Sequence, residues 1–206
     1  MQTTFIFLIL GFSIILHEIS HGLVAFMNGD PTAYREGRLT LNPLPHIDIF
    51  GSIILPVALF LSGTGMMFGW AKPVPFDPRN FHNRRLGIFT VGIAGPATNV
   101  LLALLFAAFF RFLNVADSLK TIFFYGASIN LALAVFNMVP IPPLDGSRVL
   151  IVFLPRAARK VYAAIERWGI LVIILFAYTG VLRRFIFPVF LKLLFLLTGY
   201  SDNNLL

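Results

Sequence analysis

The run from Phe5 to Met27 is apolar for long enough to cross a bilayer, yet it holds His17, Glu18 and His21. A span takes about 20 mostly apolar residues. Inside lipid such a run must satisfy its own backbone and can do so only as a helix or a closed barrel. Each ionisable side chain at mid-bilayer costs at least about 2–3 kcal/mol. Three together call for a function, or at least for a buried His–Glu hydrogen-bonded cluster. On a helix, residues four apart share one face, so His17 and His21 point the same way. Glu18 lies about 100° round from His17. This is the H-E-x-x-H arrangement, in which two imidazoles grip a metal and the glutamate serves as general base.

The rest of the chain agrees with a polytopic membrane protein. Of 206 residues, 58% are hydrophobic and 12% charged, against about 45–50% and 25% in a soluble domain. One membrane-embedded domain over residues 1–206 is expected. Cysteine is absent, which excludes disulfides and thiolate zinc sites and leaves His, Asp and Glu as ligands. The net charge of +7 reads as basic loops at an anionic membrane face, not as nucleic-acid binding. The N-terminus does not read as a signal peptide, because it has no basic leading region and ionisable groups interrupt its apolar stretch.

Leu86–Phe110 and Thr121–Val139 qualify as further spans. Ile170–Leu182 and Phe185–Leu197 are shorter and are separated by Arg183 and Arg184; they read as one span with an interfacial piece or as two tight spans. Ile49–Gly69 is apolar but holds Pro56 and the run Gly63-Thr64-Gly65, which break helices. In Tyr34–Asn42, "YREGRLTLN", partial alternation around Glu36-Gly37 predicts a short β-hairpin. Trp70–Arg85 is a Pro-rich, basic interfacial loop. Pro155–Trp168 places Arg156, Arg159, Lys160, Glu166 and Arg167 on one side and Ala158, Val161, Tyr162, Ile165 and Trp168 on the other. That pattern predicts an amphipathic helix on the membrane surface. Gly92, Pro96, Asn99 and Ala103 share a face of one span; Gly126, Asn130, Ala134 and Asn137 share a face of the next. Small and amide residues so arranged ordinarily mean close helix packing.

A hydrolytic zinc site needs three protein ligands and an open position. His46, Asp48 and Asp145 are the candidates for the third. Asp145 lies in "NMVPIPPLDGSR", where Pro140, Pro142 and Pro143 end the preceding helix and leave extended backbone. Such backbone survives in a membrane only against protein or a wet cavity. An ordinary interfacial turn is the plainer account of "PPLDG".

Taken together, "HEISHG" (His17–Gly22), "GIAGPATN" (Gly92–Asn99) and "NMVPIPPLDGSR" (Asn137–Arg148) resemble the site-2 protease family of intramembrane zinc metalloproteases, peptidase M50. The resemblance covers roughly Phe5–Arg148. "NPLPHID" and "FGWAKPVPFDPRN" look like the compact prokaryotic branch without PDZ or CBS domains. The resemblance implies an all-α polytopic fold with a helical core at 5–148, a membrane-associated β-hairpin, a re-entrant segment, and C-terminal helices within 155–198. It implies one Zn²⁺ per chain on His17, His21 and Asp145, with Glu18 activating water. It also implies that Asn137 hydrogen-bonds the substrate backbone and that Arg38, Leu39, Thr40, Leu41 and Asn42 form a strand pairing with an unwound substrate helix. Ser20 stands where the family often has glycine, and is small enough for the same close contact. The implied partners are a membrane protein with a transmembrane helix and the lipid bilayer. A non-proteolytic zinc protein such as a metal carrier is the alternative, although the polar groups cluster toward one side of the membrane.

Asp145 can meet His17 and His21 only if an odd number of crossings separates Met27 from Thr121. Leu86–Phe110 supplies one, so Ile49–Gly69 is expected to re-enter and return. That topology puts the basic residues from Arg35 to Arg85 and from Arg148 to Arg167 on one side, against Arg111 and Lys120 on the other. Basic loops stay cytoplasmic, so the site is expected to open toward the cytoplasmic half of a prokaryotic plasma membrane.

Overall fold

The computed structural model describes residues 2–63, 69–166 and 168–200. Three long helices are apolar enough to cross a membrane: α1 (Gln2–Met27), α4 (Arg84–Phe112) and α5 (Asp117–Asn137). Between them lie α2 (Thr32–Arg35) and α3 (Leu55–Leu61). After them come α6 (Asp145–Phe153), α7 (Arg156–Glu166), α8 (Gly169–Tyr178) and α9 (Val181–Thr198). Helix α4 is the hub and packs on α1, α5, α6 and α9.

Small residues face inward and large ones outward. Gly92, Gly95, Ala103 and Ala107 of α4 are buried, as are Gly126 and Ala127 of α5, while Leu101, Leu104 and Leu105 of α4 are exposed. A soluble bundle would bury its leucines. In lipid there is no hydrophobic drive between helices, so close contact comes from small residues and the bulky ones face the tails.

Local chemistry sets the ends. Helix α1 stops at Asn28 and Gly29, the latter at φ 101°. The Asn83 side chain caps α4 by accepting from the N–H groups of Arg85 and Leu86. Such a cap satisfies donors that a helix start otherwise leaves open. Helix α5 ends before Pro140, and α6 begins on Asp145 itself.

The expected hairpin at Tyr34–Asn42 is not there: no strand forms among the described residues. Asp30 accepts from the Thr32 N–H and hydroxyl, which winds Thr32–Arg35 into α2. Gly37 then turns at φ 64°. Arg38, only 5% exposed, donates to the Lys72 carbonyl, and His46 Nε2 bonds the Thr40 carbonyl at 2.9 Å. The backbone around Arg38–Asn42 is held by side chains and turns instead of by a partner strand. Partial alternation was too weak a signal beside the Asp-Pro-Thr start.

Ile49–Gly69 returns to where it began. A π-turn, Ile49–Ile54, capped by Asp48, runs into α3. Their 6 and 7 residues reach about 20 Å, short of the hydrocarbon core of about 30 Å. The Trp70 N–H donates to Gly51 O at 3.1 Å, and Ser52 Oγ donates to Trp70 O at 2.8 Å. Thr64 and Gly65 lie outside the described residues. So does Arg167, together with the side chains of Arg156, Val161, Ile165 and Glu166 in the surface helix α7. Helices α8 and α9 bend by 77° about a break that includes Gly180 at φ 73°.

Asp30 ties the α1 exit to the following loop. Fully buried, it also accepts from the Asp77 N–H at 2.6 Å and from Asn80 Nδ2 at 2.8 Å. Burial pushes its carboxyl up, but the bonds from Thr32, Asn80 and Asp77 outweigh this and hold it below the ordinary value. A lowered pKa contributes stability that is present above the unfolded-state value of about 3.9 and lost as pH falls through the folded value. Asp30→Ala, which strands these donors, should cost about 3 kcal/mol. Thermal melts in detergent at neutral pH check this, and the deficit should shrink on acidification.

Candidate metal centre

The "HEISH" turn sits in the half of α1 nearer its C-terminal end, and both imidazoles face α4. A Cβ built on Gly95 would come within 2.4 Å of the His17 and His21 rings. Glycine at that position is what lets the two helices close on the imidazoles. On the other flank, a Cβ on Gly146 would stand 2.2 Å from Met138 O. That glycine lets the Pro-rich turn fold tightly against the start of α6, which brings Asp145 to the histidines.

Three ligand atoms converge. His17 Nε2 and His21 Nε2 are 3.1 Å apart. Asp145 Oδ2 lies 3.0 Å from the first and 3.2 Å from the second. All three residues are buried. His21 Nδ1 is 2.7 Å from the Val91 carbonyl, which can only accept, so Nδ1 carries the proton and Nε2 presents a lone pair. His17 Nδ1 faces Asn99 Oδ1 at 2.5 Å. Asp145 Oδ2 is buried without a hydrogen-bond partner. Electron pairs packed this closely and shielded from bulk solvent repel unless a cation lies among them. Two imidazole nitrogens and one carboxylate oxygen match the donor set of a catalytic zinc. The residues present therefore fit the metal.

The other third-ligand candidates are elsewhere. His46 is engaged with Thr40, and Asp48 Oδ1 accepts from the Gly51 N–H at 2.6 Å. Among the described residues, His17, His21 and Asp145 are the group able to hold a metal ion.

The comparisons with known proteins fall on both halves of this arrangement. The profile described as Peptidase family M50 matches residues 113–180, which contain Asp145. The chain is 36% identical over 178 residues to "Putative zinc metalloprotease YwhC" of Bacillus subtilis, covering 81% of this chain and 77% of that one. The chain belongs to peptidase family M50, the site-2 proteases. It is also 32% identical over 190 residues to "Putative zinc metalloprotease Rip2" of Mycolicibacterium smegmatis, covering 89% of this chain and 71% of the relative. No solved structure matches it. Family and helices together make it an integral membrane zinc metalloprotease.

In this site-2 protease the candidate metal centre floors a cavity of about 390 Å³. Ile14, Leu133, Phe136 and Ile173 line it alongside His17, Glu18, His21, Asn137 and Asp145. Of the residues expected to bind substrate, Asn137 is at the cavity, with its Nδ2 bonded back to Leu133 O at 3.0 Å. Arg38, Leu39, Thr40, Leu41 and Asn42 do not line it. Gly69, Trp70, Ala71, Pro73, Val74 and Phe76 form one wall of it, and the Val74 N–H donates to Glu18 Oε2 at 2.8 Å. The quoted "FGWAKPVPFDPRN" contains that wall, but nothing in its composition points at Glu18. Helix α8 also contributes, through Ile170 and Ile173, so one of the C-terminal helices forms part of the cavity wall.

Proposed function

We propose that this protein is an intramembrane endopeptidase that cuts the transmembrane segment of a membrane protein. His17, His21 and Asp145 would hold one zinc ion and Glu18 would act as general base. The carrying observation is the triangle of Nε2, Nε2 and Oδ2 atoms, buried between helices apolar enough to lie in lipid. Bound there, zinc would supply a Lewis acid that polarises the scissile carbonyl and makes water acidic enough to lose a proton near neutral pH.

The chain's own groups do the rest. The Val74 N–H holds Glu18 Oε2, which leaves Oε1 to take the proton of the attacking water and hand it to the leaving amine. The imidazole Nδ1 contacts with Asn99 and Val91 fix both rings. The apolar walls accept a hydrophobic segment and limit access of bulk water. Asn137 offers an amide to substrate backbone that has lost its helical bonds, which in lipid would otherwise stand unsatisfied. The cytoplasmic orientation rests on the basic loops, Arg35 to Arg85 and Arg148 to Arg167.

The test is cleavage of a single-span substrate by purified protein in lipid vesicles. Stripping metal with a chelator should abolish cleavage and stoichiometric zinc should restore it. Full cleavage by verified metal-free protein would overturn the reading.

A further inference from the structure

Asn99 and Asn130 are both 0% exposed and sit in the middle of helices that lie in lipid. The ordinary account makes such amides helix-packing glue. Their hydrogen bonds have a direction that this account does not require. Asn130 Nδ2 is 2.9 Å from the Gly126 carbonyl. A carbonyl only accepts, so the amide nitrogen must be the group placed there. Asn130 Oδ1 is then left to accept, and it faces Asn99 Nδ2 at 3.0 Å. A second backbone carbonyl, Ser13 O, lies 3.5 Å from the same nitrogen and favours the same orientation. With its nitrogen so committed, Asn99 can present only Oδ1 to His17 Nδ1, 2.5 Å away. His17 must donate that bond.

We infer that Asn130 is a positioning residue for the metal centre: acting through Asn99, it keeps the His17 proton on Nδ1, so that Nε2 turns a lone pair toward His21 and Asp145. The chain of bonds runs from the Gly126 carbonyl on α5, across α4, to the imidazole on α1. It ties the three spanning helices to one ring orientation. His21 needs no such relay, because the Val91 carbonyl receives its Nδ1 proton directly. An asparagine alone could offer His17 either its oxygen or its nitrogen. The second amide, the nearer of the two acceptors at 3.0 Å against 3.5 Å for Ser13 O, does most to remove that freedom. Partners of this kind set ligand orientation, and losing one typically weakens metal binding about 10–100-fold.

This inference rests on His17 being a zinc ligand, and the experiment separates the two claims. The full chain is purified in detergent, its zinc affinity measured by competition with a chelator, and the His17 tautomer read in the metal-free protein by nitrogen NMR. Asn130→Leu should bind zinc about 10-fold more weakly and show the His17 proton partly lost from Nδ1. Adding Asn99→Asp to Asn130→Leu should restore affinity to within about threefold, because a carboxylate accepts from Nδ1–H without needing direction from a neighbour. Packing glue predicts the reverse, since the double variant then buries an extra charge with no gain. Unchanged affinity and tautomer in Asn130→Leu, or a double variant no tighter than the single, would overturn the inference. If Asn130→Leu fails to fold, the native metal-free protein decides: His17 without a proton on Nδ1 refutes the relay. Native protein that takes up no zinc would sink the proposed function instead, while the tautomer still tests the relay.

Discussion

The Glu18→Gln protein should bind as much zinc as the native chain and cleave a transmembrane substrate about 10³-fold more slowly. Glutamine keeps the size of the side chain and an oxygen able to accept from the Val74 N–H, so the contact at 2.8 Å survives. What it cannot do is take a proton from water. Glu18 is not among the converging ligand atoms, so metal content has no reason to change. Zinc quantification beside a cleavage time course separates the two roles. Native-like cleavage would remove Glu18 as the base; a parallel loss of zinc would make it a ligand.

Asp145→Ala should lose most of its bound zinc at concentrations where the native protein is saturated. Removing Oδ2 leaves two imidazoles, and their Nε2 atoms, 3.1 Å apart, then face an apolar gap. His46→Ala and Asp48→Ala should retain zinc, because the first bonds Thr40 and the second caps the turn at Gly51. Metal content of the three variants, each checked for folding, decides among the carboxylate and the two alternatives that the sequence left open. Full zinc occupancy in Asp145→Ala would break the proposed triad.

Much of this site was legible beforehand because helix periodicity is a local property. His17 and His21 share a face whatever the rest of the chain does. The spans were legible for the same reason: about 20 apolar residues have few alternatives to a helix in lipid. The return of Ile49–Gly69 followed from counting crossings, which needs no contacts. The hairpin at Tyr34–Asn42 failed where the reading depended on weak alternation, and Asp30, Gly37 and Arg38 settled the backbone through side-chain bonds and a turn. The residue pattern places Asn99 and Asn130 on polar, close-packing helix faces but does not give their bonds, since the direction of a hydrogen bond depends on what stands opposite.

By itself, then, the amino-acid order determined the membrane helices, the two histidines on one helix face with a glutamate beside them, and the short list of carboxylates and imidazoles that could complete a metal site. Each of these follows from spacing along one element. Asp145 was already the member of that list implied by the resemblance, and the tertiary structure sets it, and neither His46 nor Asp48, beside the two histidines; only the tertiary structure placed Gly95 against both imidazoles and put Val74 and α8 around the cavity. The reason is physical: those contacts join residues far apart in the chain, and only the packing of small-residue helix faces in lipid brings them within bonding distance.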